Sequence, residues 1–229
     1  MNVQDVESKS PSSGDRLKEI FAKQRLLMEE YEKIEEKNGL LQTKDIPVDL
    51  HDKYGQARIK DFAWRVTEEL AEAIEAHEIH PELLDHVQEE VIDALHFLTE
   101  FTILSGIDSD TLAQRLLSPR AIPESCNNLD NLGKIFAVAS LTLGFEENME
   151  YQTMADTVTA LGCMCNTLKN KPWKNSHMLT DINLYQKHLV NTWFHFFRLS
   201  IAFNLNADRM DDLYFRKNYV NQFRQGSNY

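Results

Sequence analysis

A chain of 229 residues, with 42% hydrophobic and 26% charged residues, is long enough to bury the core of one globular domain. Its net charge of −12 argues against a broad nucleic-acid surface. No apolar run approaches the ~20 residues of a helical membrane span, and the first residues lack the apolar stretch of a secretory signal, so the expected location is the cytoplasm.

The first residues, MNVQDVESKSPSSGD, are polar and expected to form a disordered lead over 1–14. Asp15 is a candidate N-cap for a first helix from about Arg16 to Lys37, stopped near Gly39. Gln24 lies among the apolar residues of this helix, either as a surface amide or as a reader of a polar ligand. After a loop-like stretch with Pro47 and Gly55, a second helix is expected from near Ala57. Pro81 is placed to open a third helix that ends near Gly106. The short link around His77–His80 makes the second and third helices antiparallel neighbours.

Ser109 to Leu117 reads as a short helix, and Ser118 to Asn128, with two prolines, as a connector. Further helices are expected over about 129–143, 149–169, 180–205 and 207–223, with a turn around Lys171-Pro172-Trp173-Lys174. Few Gly and Pro residues and scarce period-2 alternation point to an all-α helical bundle over 15–229. The three cysteines are odd in number and do not form a disulfide framework; Cys163 and Cys165 read as packing residues.

Acidic residues cluster on the second and third helices. Glu69 and Glu72 are three apart, as are Glu90 and Asp93, so each pair shares a helix face. Both pairs are bordered by apolar residues and so lie near the buried face. Facing carboxylates repel unless cations sit between them, and hard divalent ions with oxygen ligands meet that need. One such pair is commonplace on a solvated helix; two on adjacent helices are not.

A weak internal repeat aligns EEVIDALHF, from Glu89, with HLVNTWFHF, from His188. His96 falls opposite His195, but Glu90 falls opposite Leu189 and Asp93 opposite Thr192. The chain therefore reads as catalytic helices over about 57–106 and a degenerate second half over about 127–223. The last stretch, 214–229, carries Arg216, Lys217 and Arg224 with the amides of Asn218 and Asn221 and no acidic residue, as phosphate oxygens require. Being short, polar and terminal, it is expected to order on binding.

These residues resemble the all-α nucleoside triphosphate pyrophosphatases, the superfamily of MazG-type enzymes and dimeric dUTPases. TEELAEAIEA from Thr67 and EEVIDALHF from Glu89 resemble its two acidic motifs. KNKPWK from Lys169 and LYFRKNYVNQFRQGSNY from Leu213 are similar to motifs of the dimeric dUTPase group, including its bacteriophage members, and FAKQRLLMEEY resembles its N-terminal helix. The stretch from Gly39 to Trp64 and the terminal Ser227-Asn228-Tyr229 depart from the group's pattern.

The resemblance implies an all-α homodimer that hydrolyses a deoxynucleoside triphosphate, dUTP first and dCTP with dUTP next, to the monophosphate and pyrophosphate. It implies Mg²⁺, with Mn²⁺ as the alternative, on Glu69, Glu72, Glu90 and Asp93, and water activation by Glu68 or Glu69. Lys217, Asn218, Arg224 and Tyr229 would hold phosphates, and Gln24, Trp64, Trp173 and Asn221 would line the nucleoside end. Two readings from other classes remain. Asp93-x-x-His96 suggests a helical di-iron oxidoreductase, against which Thr192 replaces the second carboxylate. A non-catalytic nucleotide- or protein-binding relative is opposed by the complete acidic set.

Overall fold

The computed structural model describes residues 2–8, 14–39, 45–144, 148–171 and 173–226. Among them lie eight α-helices: α1 (Arg16–Lys37), α2 (Lys53–Ile79), α3 (Leu84–Leu104), α4 (Ser109–Leu117), α5 (Asn131–Ser140), α6 (Met149–Thr167), α7 (Ile182–Ala202) and α8 (Ala207–Gly226). No strand occurs among the described residues, in keeping with the all-α expectation.

Aspartates start many of these helices. Asp15, Asp52, Asp108, Asp130 and Asp181 each accept a hydrogen bond from a backbone N–H of the first turn. The cap at Asp52 corrects the expected start of α2, which begins at Lys53 rather than near Ala57. Gly55 belongs to this first turn because any Cβ there would collide with the Asp49 carbonyl. Pro81 does not open α3: it stands in the turn that precedes Leu84, and α3 has no side-chain cap. Gly106, with φ of +78°, ends α3 in a left-handed conformation beside Pro47.

Two antiparallel hairpins, α2/α3 and α6/α7, make the most extensive helix–helix packings. This pairing matches the helix-pair repeat read from the sequence. α3 and α7 carry the centre of the core, through Leu95, Leu98, Phe101, Leu189, Trp193, Phe196 and Phe197, all buried. Trp193 donates its indole N–H to Thr102 Oγ1 at 2.9 Å and stacks against Phe21 of α1, tying three helices together. α1 and α8 pack on each other and on α3, closing the bundle over the acidic half.

The N-terminal lead differs from the sequence expectation. Within the lead, Val3–Asp5 forms a 3-10 turn on α8, because Val3 is apolar and finds a buried place there. Gln4 also donates to Glu89 Oε1 at 3.1 Å. At the other end, the last helix expected over 207–223 is present as α8, which runs on to Gly226 and includes the basic stretch 214–226. Leu213 and Val220, seven apart, and Tyr214 and Asn218, four apart, recur at helical spacing and are buried, which explains their order.

Candidate metal and nucleotide site

The acidic faces of α2 and α3 meet. Carboxylate oxygens of Glu69, Glu72 and Glu90 lie within 4.8 Å of one another. Burial and the nearby charges of Asp93, Glu72 and Glu90 push the Glu69 carboxyl up to about 7. Burial, then Asp93, raises Glu90, whose Oε1 lies 3.4 Å from His86 Nδ1. Asp93 is raised mainly by burial and is held down by Lys217. Such mutual repulsion at one spot, with only oxygen donors, is the chemistry that a hard divalent cation relieves.

Asp93 points to a different partner from the other three. Its Oδ2 lies 2.5 Å from Lys217 Nζ on α8, so the α3 acid and the C-terminal cation are joined across the fold. Arg224, about two turns further on, is near enough to act on both Asp93 and Tyr31. α8 thereby brings cations to the rim of the acidic cluster. Arg216, from the same basic run, instead pairs with Asp212 at 3.0 Å within α8.

Glu68 stands outside the cluster. Its two oxygens accept from Trp64 Nε1 at 2.7 Å and from Arg65 at 2.8 Å. Trp64 is exposed and lies one turn before Glu68 on α2. Trp173 is 77% exposed in the α6–α7 loop, beside Lys171. That loop is pinned by the buried Asn170, which bonds to Gln56, to the His51 carbonyl and to both backbone groups of Met178. Asn221 is partly buried on α8. Tyr229 lies outside the described residues.

Gln24 is fully buried, not a surface amide. It donates Nε2–H to Glu100 Oε2 at 3.0 Å, and its Oε1 accepts from Tyr214 OH at 2.7 Å and from His96 Nδ1–H at 2.8 Å. The His96 ring stacks on Tyr214 with centroids 4.1 Å apart. Burial lowers the His96 pKa to about 3, so the imidazole is neutral. With Nδ1 donating, Nε2 is an acceptor, and it has no partner. Asn218 is buried with its Nδ2 likewise unpartnered, while its Oδ1 accepts from Gln222.

Glu100, His96 as a hydrogen-bonded group, Tyr31 and Tyr214 were not among the residues singled out from sequence. A signal existed: Asp93, His96 and Glu100 fall at i, i+3 and i+7, one continuous face of α3.

A family model described as dUTPase matches residues 16–229, nearly the whole chain. This chain belongs to the dUTPase family. No curated protein and no solved structure matches it. Membership of the dUTPase family, whose members generally use a divalent metal, makes hydrolysis of a deoxynucleoside triphosphate the general activity of the fold. The meeting of Glu69, Glu72 and Glu90 in this family member fits that metal by its donor set.

Proposed function

We propose that this dUTPase-family chain is a Mg²⁺-dependent pyrophosphatase of a pyrimidine deoxynucleoside triphosphate, dUTP before dCTP, yielding the monophosphate and pyrophosphate. The observation that carries this reading is the convergence of Glu69, Glu72 and Glu90 beside an Asp93–Lys217 pair. Glu69, Glu72, Glu90 and Asp93 would hold Mg²⁺, or Mn²⁺ in its place. Bound there, the ion supplies charge neutralisation at the phosphates and acidifies a bound water.

The protein's own groups do the rest. Glu69, with its pKa raised to about 7, is matched to taking a proton from water near neutral pH. Glu68, held by Trp64 and Arg65, orients from the side. Lys217 is released from Asp93 to meet a phosphate oxygen, joined by Arg224, which stabilises charge moving to the leaving group, whereas the buried Asn218 amide, expected at the phosphates from sequence, is assigned to the base. Tyr229 would complete this phosphate end.

Two buried orphan atoms support a pyrimidine at the nucleoside end. His96 Nε2 accepts and Asn218 Nδ2 donates. A uracil edge offers N3–H beside a carbonyl, and a cytosine edge offers an amino group beside N3, so an acceptor and a donor suit either base. That symmetry keeps dCTP as the second reading. Gln24 fixes the His96 tautomer from behind, while Trp64, Trp173 and Asn221 are the remaining candidates around the nucleoside. The proposed assembly is a homodimer in the cytoplasm, of the host if the chain is phage-encoded, without nucleic-acid or membrane partners; no described helix is long and apolar enough to cross a membrane.

The test is pyrophosphate release from each of the dNTPs, with Mg²⁺ and with EDTA, for wild type and Asp93→Ala. Mg²⁺-dependent release from dUTP or dCTP, lost in the variant, is expected. Release from no dNTP would overturn the reading, and light scattering in solution checks the dimer.

A further inference from the structure

A second cleft lies away from the acidic cluster, between the end of α4 with its following connector and the outer face of α7. It has a volume of about 730 Å³, within the usual range for small-molecule sites. Four of its side chains are basic: Arg115, Arg120, Lys187 and His188. Amides of Gln186 and Asn191 stand between them, and no carboxylate lines it. In a chain with a net charge of −12, that composition is a local inversion.

The cations here are not spent on internal ion pairs. Among the described residues no carboxylate pairs with Arg115, Arg120, Lys187 or His188, whereas Arg16, Arg198 and Arg209 elsewhere each hold an aspartate. Arg115 is positioned by Gln186, to whose Oε1 it donates at 2.8 Å. Arg120 is the more telling residue. Its guanidinium lies 3.7 Å from the centroid of the Phe194 ring and donates to the Leu116 carbonyl at 2.5 Å. It is partly buried, and that burial lowers its pKa with no acidic group to offset it. His195 on α7, which feels the Arg120 charge, adds no negative charge; its own partner is Asp156, already paired with Arg198.

A guanidinium fixed on an aromatic face and kept from any carboxylate retains free N–H donors in a fork suited to oxyanions. Asn183, Gln186, Val190 and Phe194 share a face of α7, so the amides and the arginine face the same concavity. We propose that this cleft is a second anion site, taking the phosphate chain of a small polyphosphate or nucleotide separately from the metal-dependent centre. Concavity and the acidic remainder of the surface select a small ligand over a nucleic-acid polymer.

The test uses inorganic pyrophosphate in EDTA, so that metal-dependent binding at the acidic cluster is suppressed, with binding followed by calorimetry. Wild type is expected to bind. The double variant Arg115→Gln/Lys187→Gln, at exposed positions, should bind roughly ten-fold or more weakly, as for loss of charge-assisted hydrogen bonds. Arg120→Gln should do the same, and the exposed pair keeps the test valid if Arg120→Gln unfolds. Lys217→Gln/Arg224→Gln should leave this binding unchanged, and Arg115→Gln/Lys187→Gln should leave dNTP hydrolysis unchanged, which separates this site from the proposed reaction. No binding by wild type, as when a second copy covers the cleft, would overturn the proposal. So would equal binding by the Arg115/Lys187 variant, binding lost only in the Lys217/Arg224 variant, or equal binding of sulfate.

Discussion

The two hairpins of this protein have the same architecture and opposite electrostatics. In α6/α7 the positions opposite Glu90 and Asp93 are Leu189 and Thr192, both fully buried. The acid that the second hairpin does carry near its face, Asp156, is matched by Arg198 at 3.1 Å and His195 at 3.8 Å. In α2/α3 three carboxylates converge, and the lysine at their rim, Lys217, comes from another helix and pairs with Asp93. One hairpin is therefore finished as core, and the other is left with repulsion that stabilises nothing in the fold. Electrostatic strain kept at one of two equivalent places supports the proposed site in α2/α3.

That contrast can be broken by substitution, beginning with the acidic hairpin. Glu69→Gln should lower dNTP hydrolysis by roughly 100-fold or more, on the scale of losing a preorganised catalytic group. The same change removes a repelling carboxylate, so the melting temperature in EDTA should rise. A variant that loses activity and also stability would contradict the assignment of strain to this cluster.

Moving the acid to the other hairpin should be worse for the fold. Leu189→Glu puts a charge where no partner is available, at a cost of about 4 kcal/mol or more. For a domain of this size that corresponds to a fall of roughly 10 °C in melting temperature, read by calorimetry. Binding of Mg²⁺ by this variant at the second hairpin would show the halves to be interchangeable, against the reading here.

A pH effect separates the buried acid behind the site from the ligands in it. Burial pushes Glu100 from 4.5 to about 8. A raised carboxyl pKa means that the folded state favours the protonated form. Its contribution is complete below pH 4.5 and is lost as pH rises towards 8, with a limiting slope of about 1.4 kcal/mol per pH unit. Glu100→Gln, which can still bond to Gln24, should be more stable than wild type at pH 8 and equal to it at pH 4. Parallel melting curves for the two proteins across that window would refute this.

The smallest effect belongs to the finished hairpin. Asp156→Asn removes the charge partner of the largely buried Arg198 but leaves an amide oxygen to accept from it, and should cost about 1 kcal/mol, with hydrolysis unchanged.

Much of this was legible in the sequence, for identifiable reasons. α1 and α4 begin and end where their caps and apolar spacing place them, because a helix terminus is decided within a few residues. Sequence places the start of α2 too late because Gly55 reads as a breaker, although Asp52 caps the turn that contains it. α3 was started early because Pro81 is permitted in a first turn without being required there. Gln24 had two readings from sequence, and burial against Glu100, His96 and Tyr214 decided between them.

The sequence by itself determined the helical class, the internal helix-pair repeat and the four carboxylates as neighbours in two pairs, since each rests on spacings of three or four residues. Tertiary structure alone decided that the pairs face each other, that Lys217 lies on Asp93, and that Gln24 spans 76 positions to Glu100 and 190 to Tyr214. Local periodicity says which face a residue occupies. It does not say which face of another helix will cover it, because that is settled by packing the whole core at once.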